Sequence, residues 1–261
     1  LEKRKGGILE TLRGTYQGVW NVVRFNWHYY AISFFILFGS VSISALLPKL
    51  QYFFYSFGFC GFILIFITLA VTHHIYDRSN LYELNWLNDW IDGSEKTILN
   101  VHAGFDETSH LLKNKFPNSE LIVFDFYDPK LHTEVSIKRA RKVYPPFPGT
   151  KKISTSYFPL EDGSLDCIFI ILSAHEIRND RERGIFFLEL KRVLKPNGKI
   201  VVTEHLRDTA NFLVYFIGFF HFFSKTSWLE TFANAGLIQI GEKKITRFIR
   251  TFILQKNGIT L

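Results

Sequence analysis

The chain has 261 residues, enough for one large domain or one domain with an appendage. Hydrophobic residues make up 47% and charged residues 21%, which excludes wholesale disorder, and two cysteines exclude a disulfide scaffold. The formal charge of +7 leaves nucleic acid or an anionic membrane surface as partners, and the placement of the basic residues decides between them. With 28 Phe the chain is richer in aromatics than a soluble core needs, which points to lipid or apolar ligands. No methionine occurs, not even at position 1, which reads as a lost initiator or a trimmed chain.

The basic residues come first. Lys3, Arg4, Lys5, Arg13 and Arg24 outnumber Glu2 and Glu10 ahead of a long apolar run. Ile8, Leu12, Val19, Val22 and Val23 are spaced among them, and Trp20, Trp27, Tyr29 and Tyr30 follow. This predicts a basic interfacial segment over 1–28 with an aromatic belt. Tyr29 to Leu47 is then 19 residues without a charge, and Leu50 to Tyr76 has none beyond His73 and His74. At about 1.5 Å per residue the first run spans roughly 28 Å, close to a bilayer's hydrocarbon thickness. Two such runs joined at Pro48-Lys49 predict a two-helix transmembrane hairpin over 29–79. The positive-inside rule places the N-terminus, and therefore everything after the second crossing, in the cytoplasm. Topology accounts for the basic residues; no DNA- or RNA-binding motif is present, so membrane lipids are the expected partner and nucleic acid is not.

Residues 80–261 read as an α/β domain. A short amphipathic helix is expected at Leu81 to Ile91. Strands are expected at Thr97 to Ala103, Glu120 to Phe126, Lys152 to Ser156, Leu165 to Leu172, Gly198 to Glu204, Leu237 to Lys243 and Phe248 to Gln255. Helices fall near Glu107 to Phe116, Lys130 to Lys142, Glu182 to Val193 and Ser227 to Ala235. Alternation of this kind predicts parallel βαβ units in a doubly wound sheet, with ligands at the carboxyl ends of the strands. The continuous apolar run Cys167 to Leu172 fits a strand buried on both faces. No Cys/His spacing resembles a zinc site, and no metal is expected.

Three linked stretches carry a resemblance: Phe158-Pro-Leu-Glu-Asp-Gly-Ser-Leu-Asp-Cys-Ile-Phe169, Ser173-Ala-His-Glu-Ile177, and Leu190-Lys-Arg-Val-Leu-Lys-Pro-Asn-Gly-Lys-Ile200. With Trp228 to Leu237 they resemble class I S-adenosylmethionine-dependent methyltransferases, and the His-Glu-Ile stretch resembles the small-molecule and quinone-methylase subgroup. The resemblance covers roughly Leu81 to the C-terminus. It implies a seven-stranded Rossmann-like methyltransferase sheet ending in an antiparallel hairpin, with S-adenosylmethionine as cofactor. Asn197 stands where the family usually has the first Gly of its turn, a position Asn can fill because it tolerates left-handed geometry.

The resemblance also nominates site residues. Asn100-Val-His-Ala-Gly-Phe-Asp106 aligns with the family's acidic-hydrophobic-Gly-x-Gly-x-Gly loop. Asn100 takes the acidic position, His102 and Asp106 replace two glycines, and Gly104 is retained. Asp125, 21 residues after Gly104, is the expected partner of the ribose hydroxyls, with Phe126 and Tyr127 beside the adenine. Leu160 and Glu161 are the remaining cofactor candidates. On the acceptor side, His175 is the candidate general base because imidazole titrates near neutrality. Glu176 and His205 complete the catalytic set. Glu204 reads in preference as a helix cap, with orientation of His175 as its other role. Thr209 to Ser224, 16 residues without a formal charge, is short for a membrane span and falls where the family inserts substrate-covering segments.

The resulting expectation is a membrane-anchored methyltransferase acting on an apolar acceptor such as a quinone precursor, phenolic lipid or isoprenoid. The alternatives are a phospholipid headgroup methyltransferase and a non-catalytic membrane scaffold on a degenerate methyltransferase fold. The sequence carries no indication of oligomeric state.

Overall fold

The computed structural model describes residues 13–132 and 134–258. They divide into two compact units, Arg13–Arg78 and the residues from Ser79 onward.

In the first unit, α1 (Gln17–Phe25) buries Gly18, Asn21 and Phe25 along one face and leaves Trp20 exposed. The predicted residues Lys3, Arg4, Lys5, Ile8 and Leu12 lie outside the described residues. The chain breaks at Asn26, whose amide and side chain both donate to the Val22 carbonyl. It then enters α2 (Trp27–Leu46). Pro48 opens a short 3-10 turn at a helix start, where a missing N–H costs nothing, and α3 (Gln51–His73) follows. The 20-residue Trp27–Leu46 and the 31-residue Pro48–Arg78 are long and apolar enough to cross a membrane, with mean hydropathies of 1.7 and 2.2. Their most apolar windows are only 11% and 0% buried, unlike core helices of a soluble protein. Asp77 fastens the unit: its carboxylate accepts from the Gly18 amide at 2.6 Å and the Val19 amide at 3.0 Å, and pairs with His73 Nδ1 at 3.0 Å. A carboxylate on the first amides of α1 satisfies donors that the helix itself cannot.

The second unit is a seven-stranded sheet in the order β3-β2-β1-β4-β5-β7-β6. Its strands are β1 (Thr97–His102), β2 (Glu120–Asp125), β3 (Lys151–Lys152), β4 (Leu165–Ile171), β5 (Leu194–His205), β6 (Leu237–Lys244) and β7 (Ile249–Lys256). The first five pair in parallel, and β7 runs antiparallel between β5 and β6. This is the doubly wound arrangement with a terminal hairpin that the resemblance implied. The order reverses between β1 and β4, so a crevice opens at their carboxyl ends. The surrounding helices are α4 (Ser109–Lys115), α5 (Val135–Val143), α6 (Asp180–Val193), α7 (Thr209–Tyr215) and α8 (Lys225–Asn234).

Much of the Phe enrichment proves to be ordinary packing. Phe124, Phe158, Phe186, Phe187, Phe232 and Phe252 are buried around Trp228, with ring centroids 5.1 Å apart for Phe187–Phe232 and 5.6 Å for Phe124–Phe158. Aromatic pairs at such spacings add a little to the large burial term.

Three local expectations are corrected. Residues 81–91 form no α-helix: Leu84 takes a left-handed φ of 56° and only a 3-10 turn, Asn85–Asp89, follows. Leu81, Leu84, Trp86, Leu87 and Ile91 are all buried, so packing on several sides overrides the helical spacing. The third strand shrinks to Lys151–Lys152. The Lys-Pro-Asn-Gly stretch is part of a longer β5, and Asn197 is not left-handed. Gly198 is needed for space instead, since a Cβ there would lie 2.7 Å from Leu194 Cδ1.

Arg192 explains why two of the motifs travel together. Its guanidinium donates to the carbonyls of Phe158 (2.8 Å) and Leu160 (2.9 Å), and to the carboxylates of Asp162 and Glu189. The Gly163 amide returns a bond to the Arg192 carbonyl. These residues lock the loop before β4 to the end of α6; they are fold, not chemistry. Arg192→Ala is expected to destabilise the unit by about 1–3 kcal/mol, because two carbonyls and a half-buried Glu189 lose a charged donor. Chemical denaturation followed by circular dichroism measures this, and an unchanged midpoint would remove the clamp.

Candidate active site

The carboxyl ends of β1, β2, β4 and β5 carry two groups of polar residues. The first surrounds the loop after β1. Asn100 is buried, and its Nδ2 donates to Thr108 Oγ1 (3.0 Å) and Ser109 Oγ (2.8 Å) at the start of α4. Asp106, in the third glycine position, accepts from the amides of Thr108 (3.0 Å) and Ser109 (2.9 Å). The lost glycine is thus replaced by a side chain that organises the first turn of α4. His102 is buried and its Nδ1 accepts from the Gly104 amide at 3.0 Å. Burial is the main cause of its lowered pKa, so it stands as a neutral imidazole. Gly104 has a φ of +90° and remains the close-approach residue.

Asp125 ends β2 directly opposite His102. Its Oδ1 accepts from the Tyr127 amide at 2.9 Å and its Oδ2 pairs with Arg141 at 2.5 Å. The Arg141 guanidinium lies 4.6 Å over the Tyr127 ring and donates to the Gly104 carbonyl at 3.3 Å. Asn100, His102, Gly104 and Asp125 therefore do converge. Among the described residues, Asn100 Oδ1, His102 Nε2 and Asp106 Oδ2 are buried without a hydrogen-bond partner. His102 Nε2 and Asp106 Oδ2 face each other at 3.8 Å, which leaves Asn100 Oδ1 as the buried atom of this loop open to a polar ligand. These side chains would suit an adenosyl group, with Asp125 toward the ribose, and Arg141 holds that carboxylate in this structure.

Three nominated cofactor residues are not part of this cleft. Phe126 points into the core, 2% exposed and 5.3 Å from Phe186. Tyr127 takes the cleft side instead, because alternate residues of an extended chain face opposite ways. Leu160 and exposed Glu161 lie in the Arg192-bound loop ahead of β4, at the strand's amino end.

The second group lies after β4 and β5. Ser173 Oγ donates to the Val101 carbonyl at 3.0 Å and pins the end of β4 to β1. The chain then turns through a 3-10 segment, Ala174–Glu176. His175 Nδ1 meets Glu204 Oε2 at 2.6 Å, and its amide donates to Glu204 Oε1 at 3.2 Å. Its Nε2 faces Glu176 Oε1 at 3.3 Å. His221 Nε2 faces the same Glu176 oxygen at 3.4 Å, and its Nδ1 faces Glu134 at 3.5 Å.

Glu204 thus grips His175 and does not cap a helix; Asp208 caps α7 through the Asn211 amide. Burial, the largest influence on His175, lowers its pKa. The Glu204 and Glu176 carboxylates outweigh it and hold the group up at about 10. The two carboxylates therefore favour the protonated ring, in place of the expected imidazole titrating near neutrality. Glu176 is pushed up by burial, but the two histidines hold it well below the usual carboxylate range. His205 does not join this group. It is buried, stacked 4.8 Å from Phe222, bonded to Asn211 Oδ1 at 3.1 Å, and lowered chiefly by burial to about 4. It supports the segment above it as a neutral ring.

That segment is α7 followed by a 3-10 turn, Phe216–His221. Phe212, Leu213, Phe216, Ile217 and Phe220 are exposed, while Val214 and Phe222 are buried. Two arginines hold its far end: Arg207 donates to the carbonyls of Phe222 (2.7 Å) and Phe220 (2.9 Å), and Arg178 donates to that of His221. The sequence reading missed Glu134, Arg141, Arg178 and Arg207 as site residues. They come from distant positions and no spacing announces them.

Residues 102–202 match the family model of a methyltransferase domain. Human N-acetylserotonin methyltransferase, solved with S-adenosylmethionine, is similar over 74% of this chain and 55% of its own, at 14% identity and a TM-score of 0.52. A protein from Pyrococcus horikoshii OT3 aligns over 66% of this chain and 86% of its own, at 17% identity and a TM-score of 0.50. A SAM-dependent methyltransferase from Aquifex aeolicus aligns over 69% and 94%, at 18% identity and a TM-score of 0.48. No curated protein matches the sequence. The fold is that of the class I methyltransferases. The family match covers residues 102–202, less than half of the chain, and at 14–18% identity the solved neighbours bear on the fold alone.

Proposed function

We propose that this protein is a membrane-anchored methyltransferase acting on an apolar or lipid-like acceptor that carries a polar group, such as a quinone precursor, phenolic lipid or isoprenoid. The observation that carries this reading is the exposed apolar face of residues 209–223, clamped by Arg178 and Arg207 beside the His175–Glu176–Glu204 group. Exposed apolar area of that kind next to polar side chains suits an acceptor with a greasy body and one reactive polar end. The two apolar helices supply the second support. An anchor raises the effective concentration of a lipid-borne acceptor at the site.

S-adenosylmethionine supplies an electrophilic methyl group on its sulfonium. The protein's share is to place the acceptor in line with it and to exclude water. Asn100, Gly104, Asp125 and Tyr127 hold the donor side. His175 and Glu176 hold the polar end of the acceptor, and Glu204 fixes the ring of His175. The basic residues ahead of α2 set the N-terminus and the catalytic domain on the cytoplasmic face.

The test uses the full chain in lipid nanodiscs with methyl-labelled S-adenosylmethionine and membrane extracts. Label is expected in organic-phase products other than phospholipids. Label confined to water-soluble products would sink the apolar acceptor, and label in phosphatidylethanolamine derivatives would move the assignment to headgroup methylation.

A further inference from the structure

We propose that His175, Glu176 and His221 form a binding site for a divalent first-row transition-metal ion, with zinc the ion their chemistry suits best. Two histidines and a carboxylate are a recurring three-ligand set for zinc with an open position. The spacing supports it. With bonds of about 2.0–2.1 Å, a tetrahedral zinc separates its ligands by roughly 3.3–3.4 Å. Here Glu176 Oε1 lies 3.3 Å from His175 Nε2 and 3.4 Å from His221 Nε2. Both gaps exceed the roughly 2.7–3.2 Å of an ordinary N–H···O bond. The three ligand atoms lie within 4.8 Å of one another, so only the edge between the histidines has to close.

A second observation is independent of that spacing. Metal-binding histidines as a rule turn their other ring nitrogen to a carboxylate or carbonyl, which fixes the ring and its tautomer. His175 does this, with Nδ1 against Glu204 at 2.6 Å; His221 Nδ1 is turned toward Glu134 at 3.5 Å, a longer contact than a hydrogen bond. The cluster thus holds three carboxylates, Glu134, Glu176 and Glu204. The nearby cation Arg178 is turned to the carbonyls of His175, His221 and Phe220. Arg178 and Arg207 together hold the backbone on either side of His221, so the third ligand is positioned before any ion arrives.

The side chains of Glu176 and His175 are 7% and 12% exposed and that of His221 is 29% exposed, which leaves an opening on the His221 side. If the proposed acceptor is right, its oxygen takes that place, and the ion becomes the group that gathers the acceptor's polar end. The ion site itself does not depend on that reading.

The experiment is metal binding by the full chain in detergent, without any methyl donor. Protein stripped with chelator is titrated with Co²⁺ while its visible ligand-field absorption is followed, and Zn²⁺ is then added as competitor. Expected are one equivalent of Co²⁺ with the intense bands of a low-coordinate site, and its displacement by Zn²⁺. His221→Ala should lose that equivalent. Glu134→Gln, which leaves all three ligands in place, should weaken affinity by about 10–100-fold with an unchanged circular dichroism spectrum. Folded wild-type protein that binds no Co²⁺ or Zn²⁺, or binds them no better than folded His221→Ala, overturns the proposal. Stoichiometric binding without any methyl transfer would keep the site and sink the functional reading instead.

Discussion

Asp125→Ala is expected to raise the dissociation constant for S-adenosylmethionine by at least about 100-fold, since two hydrogen bonds to a charged group contribute roughly 1.5–3 kcal/mol each. The carboxylate is well prepared for a ribose diol. It is buried at the end of β2, and one oxygen is already fixed by the Tyr127 amide at 2.9 Å. The other oxygen is held by Arg141, which also bonds the Gly104 carbonyl. A Cβ on Gly104 would lie 2.5 Å from Arg141 Nη1, so the guanidinium fills the space above the glycine. Arg141 is therefore a competitor for the same carboxylate. Arg141→Ala should tighten binding severalfold while Asp125→Ala weakens it. Titration calorimetry on the two variants separates the cases. Equal weakening by both would make Arg141 a cofactor contact, and an unchanged constant in folded Asp125→Ala would remove Asp125 from the site.

The strand positions are legible because they rest on local signals, and the terminal hairpin follows from the family resemblance. Apolar runs such as Cys167 to Leu172 and the left-handed Gly236 after α8 need no distant partner to be recognised. Residues 81–91 misled because Leu84 breaks the helix while Trp86 is held by the Leu81 carbonyl, both consequences of packing. The motifs behaved unevenly. Those around Arg192 identify the fold and contribute no chemistry, which is why Leu160 and Glu161 were misassigned. The loop after β1 kept its position despite two missing glycines because His102 and Asp106 bond its backbone themselves. What sequence order hides is convergence. Glu134, His175, Glu204 and His221 come from four separate segments, and only the sheet's carboxyl edge brings them together.

His175→Ala is expected to lower turnover by about 100-fold, the scale of losing a group that positions the acceptor's polar end. The affinity for S-adenosylmethionine should be nearly unchanged, since His175 belongs to the acceptor-side group. The substitution has a second effect that has to be separated from the first. Glu204 is fully buried, and His175 is its partner both through the ring at 2.6 Å and through the amide at 3.2 Å. Removing the imidazole leaves that carboxylate without its counter-charge, which destabilises by about 3–5 kcal/mol in comparable buried pairs. Glu204→Gln avoids this, because it keeps a hydrogen-bonding group against Nδ1 and buries no charge. If Glu204 is the positioning residue for His175, Glu204→Gln should lower kcat with little change in KM and none in fold. A folded Glu204→Gln with wild-type kcat would show that the pairing only stabilises the end of β5. Unchanged turnover in folded His175→Ala would take the imidazole out of the reaction.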